Sequence, residues 1–285
     1  MSNQSNDKGK YDERNKLNDL TGKEWLKMTK SFMFSEKSQE DKAAFNHPAP
    51  FLIKDVEKLI TMFTKSGMTV LDPFVGSGTT LIASFKNNRN AIGIDLNYKY
   101  RLLAKERLKN IGLDLDSNLF IKYITGDSSI EIENIGEVDY IVTSPPYHNI
   151  LRNKGKGLRD NRSQKGFRNG SRQGIEYYSE LENDLGNKES YEDFLVSLQN
   201  IMSKAYKKLK IGKYCSIIIS DFTVNKKEMA VQKDIIEIMQ KIGFEFVGTI
   251  VLLQDHKPLF PFGYPYAFKI NHNHQNIINF IKKGD

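Results

Sequence analysis

Thr69-Val70-Leu71-Asp72-Pro73-Phe74-Val75-Gly76-Ser77-Gly78-Thr79-Thr80 is the stretch that decides the fold. A short apolar strand runs into an acid, a proline and two glycines, and a helix over about residues 81–86 follows. Strand, glycine loop and helix in that order open a nucleotide-binding βαβ unit, because glycine permits the tight turn and the close backbone approach that a ligand there requires. Just upstream, residues 53–65 carry Val56, Ile60 and Phe63 at helical spacing, and Gly67 ends that helix.

The same alternation recurs downstream. Ala91-Ile92-Gly93-Ile94 reads as a second strand ending at Asp95, with a charged helix over about 98–109 after it. Phe120-Ile121-Lys122-Tyr123-Ile124 ends at Gly126-Asp127, and Tyr140-Ile141-Val142 delivers Thr143-Ser144-Pro145-Pro146-Tyr147. Residues 191–209 form an amphipathic helix through Phe194, Leu195, Leu198, Ile201 and Met202. A strand over 214–220, a helix over 231–242 and strands over 245–253 and 276–281 complete the chain. Strands alternating with helices predict an α/β fold, a doubly wound, mostly parallel sheet covered on both faces. Near the start, Thr21 and Glu24 have capping-box spacing, with Trp25, Met28 and Phe32 on one side of a short helix and Trp25 expected as a core anchor.

Composition bounds the rest. With 285 residues and 39% apolar content the chain can bury a full core. Its mean hydropathy is −0.51. The apolar runs are far shorter than the ~20 residues of a membrane span, so no membrane role is expected. Residues 1–19 are polar and lack the apolar centre of a signal peptide, which predicts a disordered tail, with residues 20–285 as a single domain. Cys215 is the only cysteine, which rules out an internal disulfide and favours a reducing, cytoplasmic setting. His272 and His274 form an H-x-H with no second ligand pair, so no metal is assigned.

The net charge of +7 is unevenly spread. Arg152, Lys154, Lys156, Arg159, Arg162, Lys165, Arg168 and Arg172 face one acid, Asp160, within a glycine-rich segment. Such a stretch cannot pack as core; it reads as a basic insertion at about 149–187 suited to a polyanion.

Three ligand classes use a glycine turn after a first strand. A nucleoside triphosphate needs Lys-Ser/Thr after the last glycine, whereas Thr79-Thr80 stands here. A dinucleotide needs G-x-G-x-x-G and tolerates no acid facing its pyrophosphate, and this loop has only Gly76 and Gly78 beside Asp72. An acid there suits S-adenosylmethionine, which carries an ammonium and a sulfonium. Asp95, 17 residues past Gly78, stands where ribose hydroxyls would be met, and Asp127 near an adenine amino group. Singly, each acid is a common strand-end turn residue. Three at successive strand ends shift the balance toward a ligand edge.

The fourth strand's exit has its own logic. Two prolines donate no hydrogen bond and hold their carbonyls in fixed directions, with a hydroxyl before them and an aromatic ring after. Together, the loop from Asp72 to Thr80 and the motif Thr143 to Tyr147 resemble the amino-methylating DNA methyltransferases, which modify N4 of cytosine or N6 of adenine. The resemblance runs over about residues 20–280.

It implies a seven-stranded class I methyltransferase sheet and S-adenosylmethionine as cofactor. Asp72, Pro73, Phe74, Gly76, Gly78, Thr79, Thr80, Asp95 and Asp127 would hold that cofactor. His47 and Pro48 belong to a segment similar to the one that lies over its methionine part. Ser144, Pro145, Pro146 and Tyr147 would be catalytic, and the basic insertion would contact DNA whose target base is flipped out. Serine before Pro-Pro leans toward N4 of cytosine, and a restriction-modification role with a cognate endonuclease partner is expected. An N6-adenine or RNA methyltransferase, and a catalytically silent nucleic-acid-binding protein, stay open as alternatives. The oligomeric state is not legible.

Overall fold

The computed structural model describes residues 9–47, 51–148, 178–225 and 227–284. Helices α1 (Gly22–Met28), α2 (Ile53–Phe63), α3 (Thr79–Lys86), α4 (Tyr98–Lys109), α5 (Ser128–Glu131), α6 (Tyr191–Lys208) and α7 (Val231–Ile242) alternate with strands. The strands are β1 (Phe32–Phe34), β2 (Thr69–Asp72), β3 (Asn90–Asp95), β4 (Ile121–Thr125), β5 (Val138–Thr143), β6 (Leu209–Ile219), β7 (Phe222–Val224), β8 (Lys227–Met229), β9 (Glu245–Leu253) and β10 (His274–Ile281).

One sheet has the order β1-β9-β10-β6-β5-β2-β3-β4, and β7 pairs with β8 in a small hairpin. β2, β3, β4, β5 and β6 run parallel, while β10 is antiparallel to both β6 and β9. The reversal of strand order about β2 places the crevice for a ligand at the carboxyl ends of β2 and β5. The seven strands of the expected sheet are present, and the three-residue β1 adds an eighth at the edge by parallel pairing with β9.

Two buried clusters cover the two faces. α2, α3 and α4 close one around Ile60, Val70, Leu81, Ala104 and Tyr140. α6 and α7 close the other around Leu71, Ile141, Phe194, Met202, Ile235 and Phe280. β5 feeds both, since all six of its residues are buried, as expected for a central parallel strand.

Three expectations at the amino-terminal end differ from the structure. Phe32 lies on β1 rather than on a helix with Trp25 and Met28, because α1 ends at Met28 and the chain turns to meet β9. α1 buries none of its residues, so Trp25 is half-buried on the surface and anchors no core. The tail expected over 1–19 packs from Gly9 onward: Asn18 Nδ2 donates to the Met62 carbonyl at the end of α2, and Asp19 pairs with Arg89 at 2.9 Å. Polar side chains that satisfy buried backbone groups hold this segment, a role that low apolar content does not reveal. Among the described residues no helix is long and apolar enough to cross a membrane.

Candidate active site

The glycine loop begins where β2 ends. Gly76 and Gly78 have φ of 48° and 80°, the left-handed region that favours glycine. A Cβ at Gly76 would stand 2.9 Å from His47 Nε2, and one at Gly78 would stand 2.7 Å from the Ala104 Cβ on α4. The loop is thus drawn close to a histidine on one side and a helix on the other, and neither approach leaves room for a side chain.

Asp72 closes β2 and is 1% exposed. Its carboxylate accepts from Thr143 Oγ1 at 2.6 Å, Thr80 Oγ1 at 2.5 Å and the Phe74 backbone N–H at 3.0 Å. One acid therefore ties the glycine loop, the start of α3 and the end of β5 together. Burial pushes it up to about 6 against the lowering effect of those donors. Three of roughly four acceptor positions on the carboxylate are used, which leaves capacity for a cationic ligand group.

Asp95 stands at the tip of β3 and accepts from the Gly76 N–H at 3.0 Å and the Asn97 N–H at 2.8 Å. Burial raises it to about 7. Asp127, at the tip of β4, caps α5 through the Ser129 N–H and accepts from Asn183 Nδ2 at 2.6 Å. Its pKa is lowered from the usual carboxylate value: the hydrogen bonds outweigh desolvation, which is the largest single effect and acts in the opposite direction. The three acids expected at successive strand ends do converge on one edge, and each already serves the backbone there.

Thr79 and Thr80 are buried at the start of α3, Pro73 is buried and Phe74 is half-buried. The Thr79 hydroxyl donates to the Phe51 carbonyl at 3.3 Å. Pro48 lies outside the described residues, as do the eight basic residues Arg152 to Arg172. His47 is described: its ring lies 4.4 Å from Tyr100 and 6.0 Å from Tyr178 by centroids.

Pro145 is buried, while Ser144, Pro146 and Tyr147 are half-buried at the exit of β5. The Tyr147 ring stacks on Phe222 at 5.5 Å and 18°, and its hydroxyl accepts from the Ser220 N–H at 3.1 Å and Gln275 Nε2 at 2.9 Å. Burial raises the phenol's pKa against the lowering effect of those two donors. Cys215 is fully buried on β6, where burial pushes the thiol up. Among the described residues no group of three or more His, Cys, Asp or Glu is arranged to hold a metal ion, and His272 sits 2.8 Å from Glu228.

Several residues at this edge escaped sequence reasoning. Tyr178 is 8% exposed, and its carbonyl accepts from Asn97 Nδ2, so the last part of the insertion expected over 149–187 packs directly over β3 instead of standing clear of the core. Asn183 does likewise over β4. Arg107 is 3% exposed under the loop, donating to the Ser77 carbonyl at 2.7 Å and to Thr79 Oγ1 at 3.0 Å. Tyr123 donates to the Gly76 carbonyl at 2.9 Å. Each is sequence-distant from its partner, and no local pattern marks it. The β9–β10 connection emerges at this edge too, with Tyr264, Tyr266 and Phe268 between 81% and 95% exposed.

Known proteins share stretches of this sequence and its fold. A family model described as DNA methylase matches residues 1–106 and 138–285. The orphan methyltransferase M.BamHII of Bacillus amyloliquefaciens is 47% identical over 75 residues, 26% of this chain and 28% of that protein. The type II methyltransferase M2.DpnII of Streptococcus pneumoniae is 37% identical over 99 residues, 35% of each. The chain thus spans about a third or less of the curated relatives it matches. The crystal structure of TrmN from Thermus thermophilus aligns with a TM-score of 0.50 at 18% identity, over 86% of this chain and 52% of that one, a likeness of fold. With a family match over both the glycine loop and the Ser-Pro-Pro-Tyr motif, the chain belongs to the N6/N4 DNA methylase family.

Proposed function

We propose that this protein methylates DNA at an exocyclic amino group, with S-adenosylmethionine as donor, N4 of cytosine as the favoured target and a restriction-modification system as its setting. The observation that carries the reading is the 2.6 Å bond from Thr143 to Asp72, which fastens Ser144-Pro145-Pro146-Tyr147 beside the glycine loop. A site for the reacting base and a site for a donor then share one rigid edge.

The residues present fit that donor. Two glycines in left-handed conformation bring the backbone close, and carboxylates at three strand ends suit a ligand with ribose hydroxyls and cationic groups. The cofactor supplies an electrophilic methyl group on a sulfonium. Asp95 and Asp127 would accept from its hydroxyl and amino donors, Asp72 would face its charge, and the His47 segment would cover it.

An exocyclic amine is a poor nucleophile because its lone pair is conjugated into the ring. The Ser144 hydroxyl and the Pro145 carbonyl accept its two hydrogens, which favours a pyramidal nitrogen with a localised pair. Tyr147 offers the base a ring face. No thiolate attack is required, in keeping with Cys215 inside the sheet. Extruding the base costs a few kcal/mol, about what phosphate contacts by Arg152 to Arg172 can offset. The chain from Gly9 onward acts as one catalytic domain in a cytoplasmic protein, and serine before the prolines favours cytosine.

The test is direct. DNA incubated with the protein and labelled cofactor is digested to nucleosides, and N4-methylcytosine is expected. N6-methyladenine in its place would reassign the base. Absence of any methylated nucleoside, with no cofactor binding by calorimetry, would leave a nucleic-acid-binding protein that keeps only the fold.

A further inference from the structure

Tyr147 is held by more than its backbone. Its hydroxyl accepts from Gln275 Nε2 at 2.9 Å, and Gln275 Oε1 accepts from Gln254 Nε2 at 3.0 Å. Gln275 lies 128 residues from Tyr147 along the chain, at the start of β10. Gln254 follows the end of β9, and its backbone N–H donates to the Asn273 carbonyl at 2.7 Å.

The amide pair is not needed to close this hairpin, since β9 and β10 already pair from Glu245 and Ile281 to Leu253 and His274, with one bulge between Asn279 and Phe280. Burying amides is costly unless each group finds a partner, and Gln254 Oε1 has none among the described residues. What the pair reaches, and what the ladder cannot, is the phenol oxygen. With one face stacked on Phe222 and its oxygen accepting from two donors, the ring is held in one orientation.

We infer that Gln275, braced by Gln254, is the positioning residue that sets the Tyr147 ring for the flipped base. This rests on the function proposed above. The geometry predicts that losing the amide frees the ring without disturbing the glycine loop.

The experiment compares Gln275→Leu in the native chain and in a Tyr147→Phe background, measuring kcat, KM for DNA and affinity for S-adenosylhomocysteine. In the native chain kcat falls about tenfold with cofactor affinity unchanged, and in the Tyr147→Phe background the same substitution changes kcat by less than about twofold. Gln254→Leu, which leaves Gln275 in place, is the milder variant and lowers kcat about threefold. Equal losses in both backgrounds, or a parallel fall in cofactor affinity, would reduce Gln275 to a fold residue and overturn the inference. A second arm needs no activity: with 13C at the tyrosine ζ carbon, the Tyr147 resonance, assigned by its absence in Tyr147→Phe, moves in Gln275→Leu. A resonance that stays in place also overturns it. If the native protein methylates no DNA, the proposed function fails by itself and the resonance decides this inference.

Discussion

Replacing Thr143 by Val changes the shape of β5 little but removes the hydroxyl that donates to Asp72 at 2.6 Å. Both residues are buried, at 0% and 1% exposure, so water cannot replace the missing donor. A hydrogen bond to a charged group contributes about 1.5–3 kcal/mol, and one to a neutral group about 0.5–1.5 kcal/mol. Asp72 is raised to about 6, so it is mostly ionised at pH 8 and mostly protonated at pH 5. Between roughly pH 4 and 6 the folded chain holds a proton that the unfolded chain has released, and stability falls as pH rises through that window. Thr143→Val removes a lowering influence and extends the window upward. The expected loss is therefore about 2 kcal/mol at pH 8 and about 1 kcal/mol at pH 5. For a domain of this size, 2 kcal/mol corresponds to about 4 °C in Tm. Urea unfolding at the two pH values measures the difference. A loss that is equal at both, or smaller at pH 8, would refute the view that an ionised Asp72 is held by Thr143.

Other expectations follow from the same edge. Asp95 is raised to about 7, and hydroxyl donors from a ligand favour its ionised form, so cofactor affinity should rise between pH 6 and 8; Asp95→Asn should flatten that profile in calorimetry. Pro146→Ala and Tyr147→Ala should each abolish methyl transfer while S-adenosylhomocysteine still binds, and loss of that binding in both would show that the motif does not belong to the base site. Replacing Arg159, Arg162 and Lys165 by Ala should weaken DNA binding and flatten its salt dependence, by a slope of about 0.9 for each phosphate that is no longer neutralised. An unchanged slope would remove the insertion from the interface.

Elements that depend on short stretches of chain were legible. β2, the glycine loop and α3 follow from an apolar run and two glycines, and α4, α7 and β9 have the bounds expected from pattern alone. β1 was not legible, because three residues carry no periodicity and become a strand only when β9 offers backbone partners. Nor was the ordered segment before α1, whose polar residues pack through hydrogen bonds to the end of α2.

Sequence alone determined which chemistry could stand at the sheet edge: glycines where the backbone must turn left-handed, prolines with fixed carbonyls, acids at strand ends. These are local properties of residue type and spacing. The tertiary structure decided how those groups are held. Thr143 meets Asp72 across 71 residues, Tyr147 meets Gln275 across 128, and Asn183 returns to Asp127 across 56. Such pairings arise because parallel strands bring distant carboxyl ends to one edge, where buried polar groups must find partners whatever their separation along the chain.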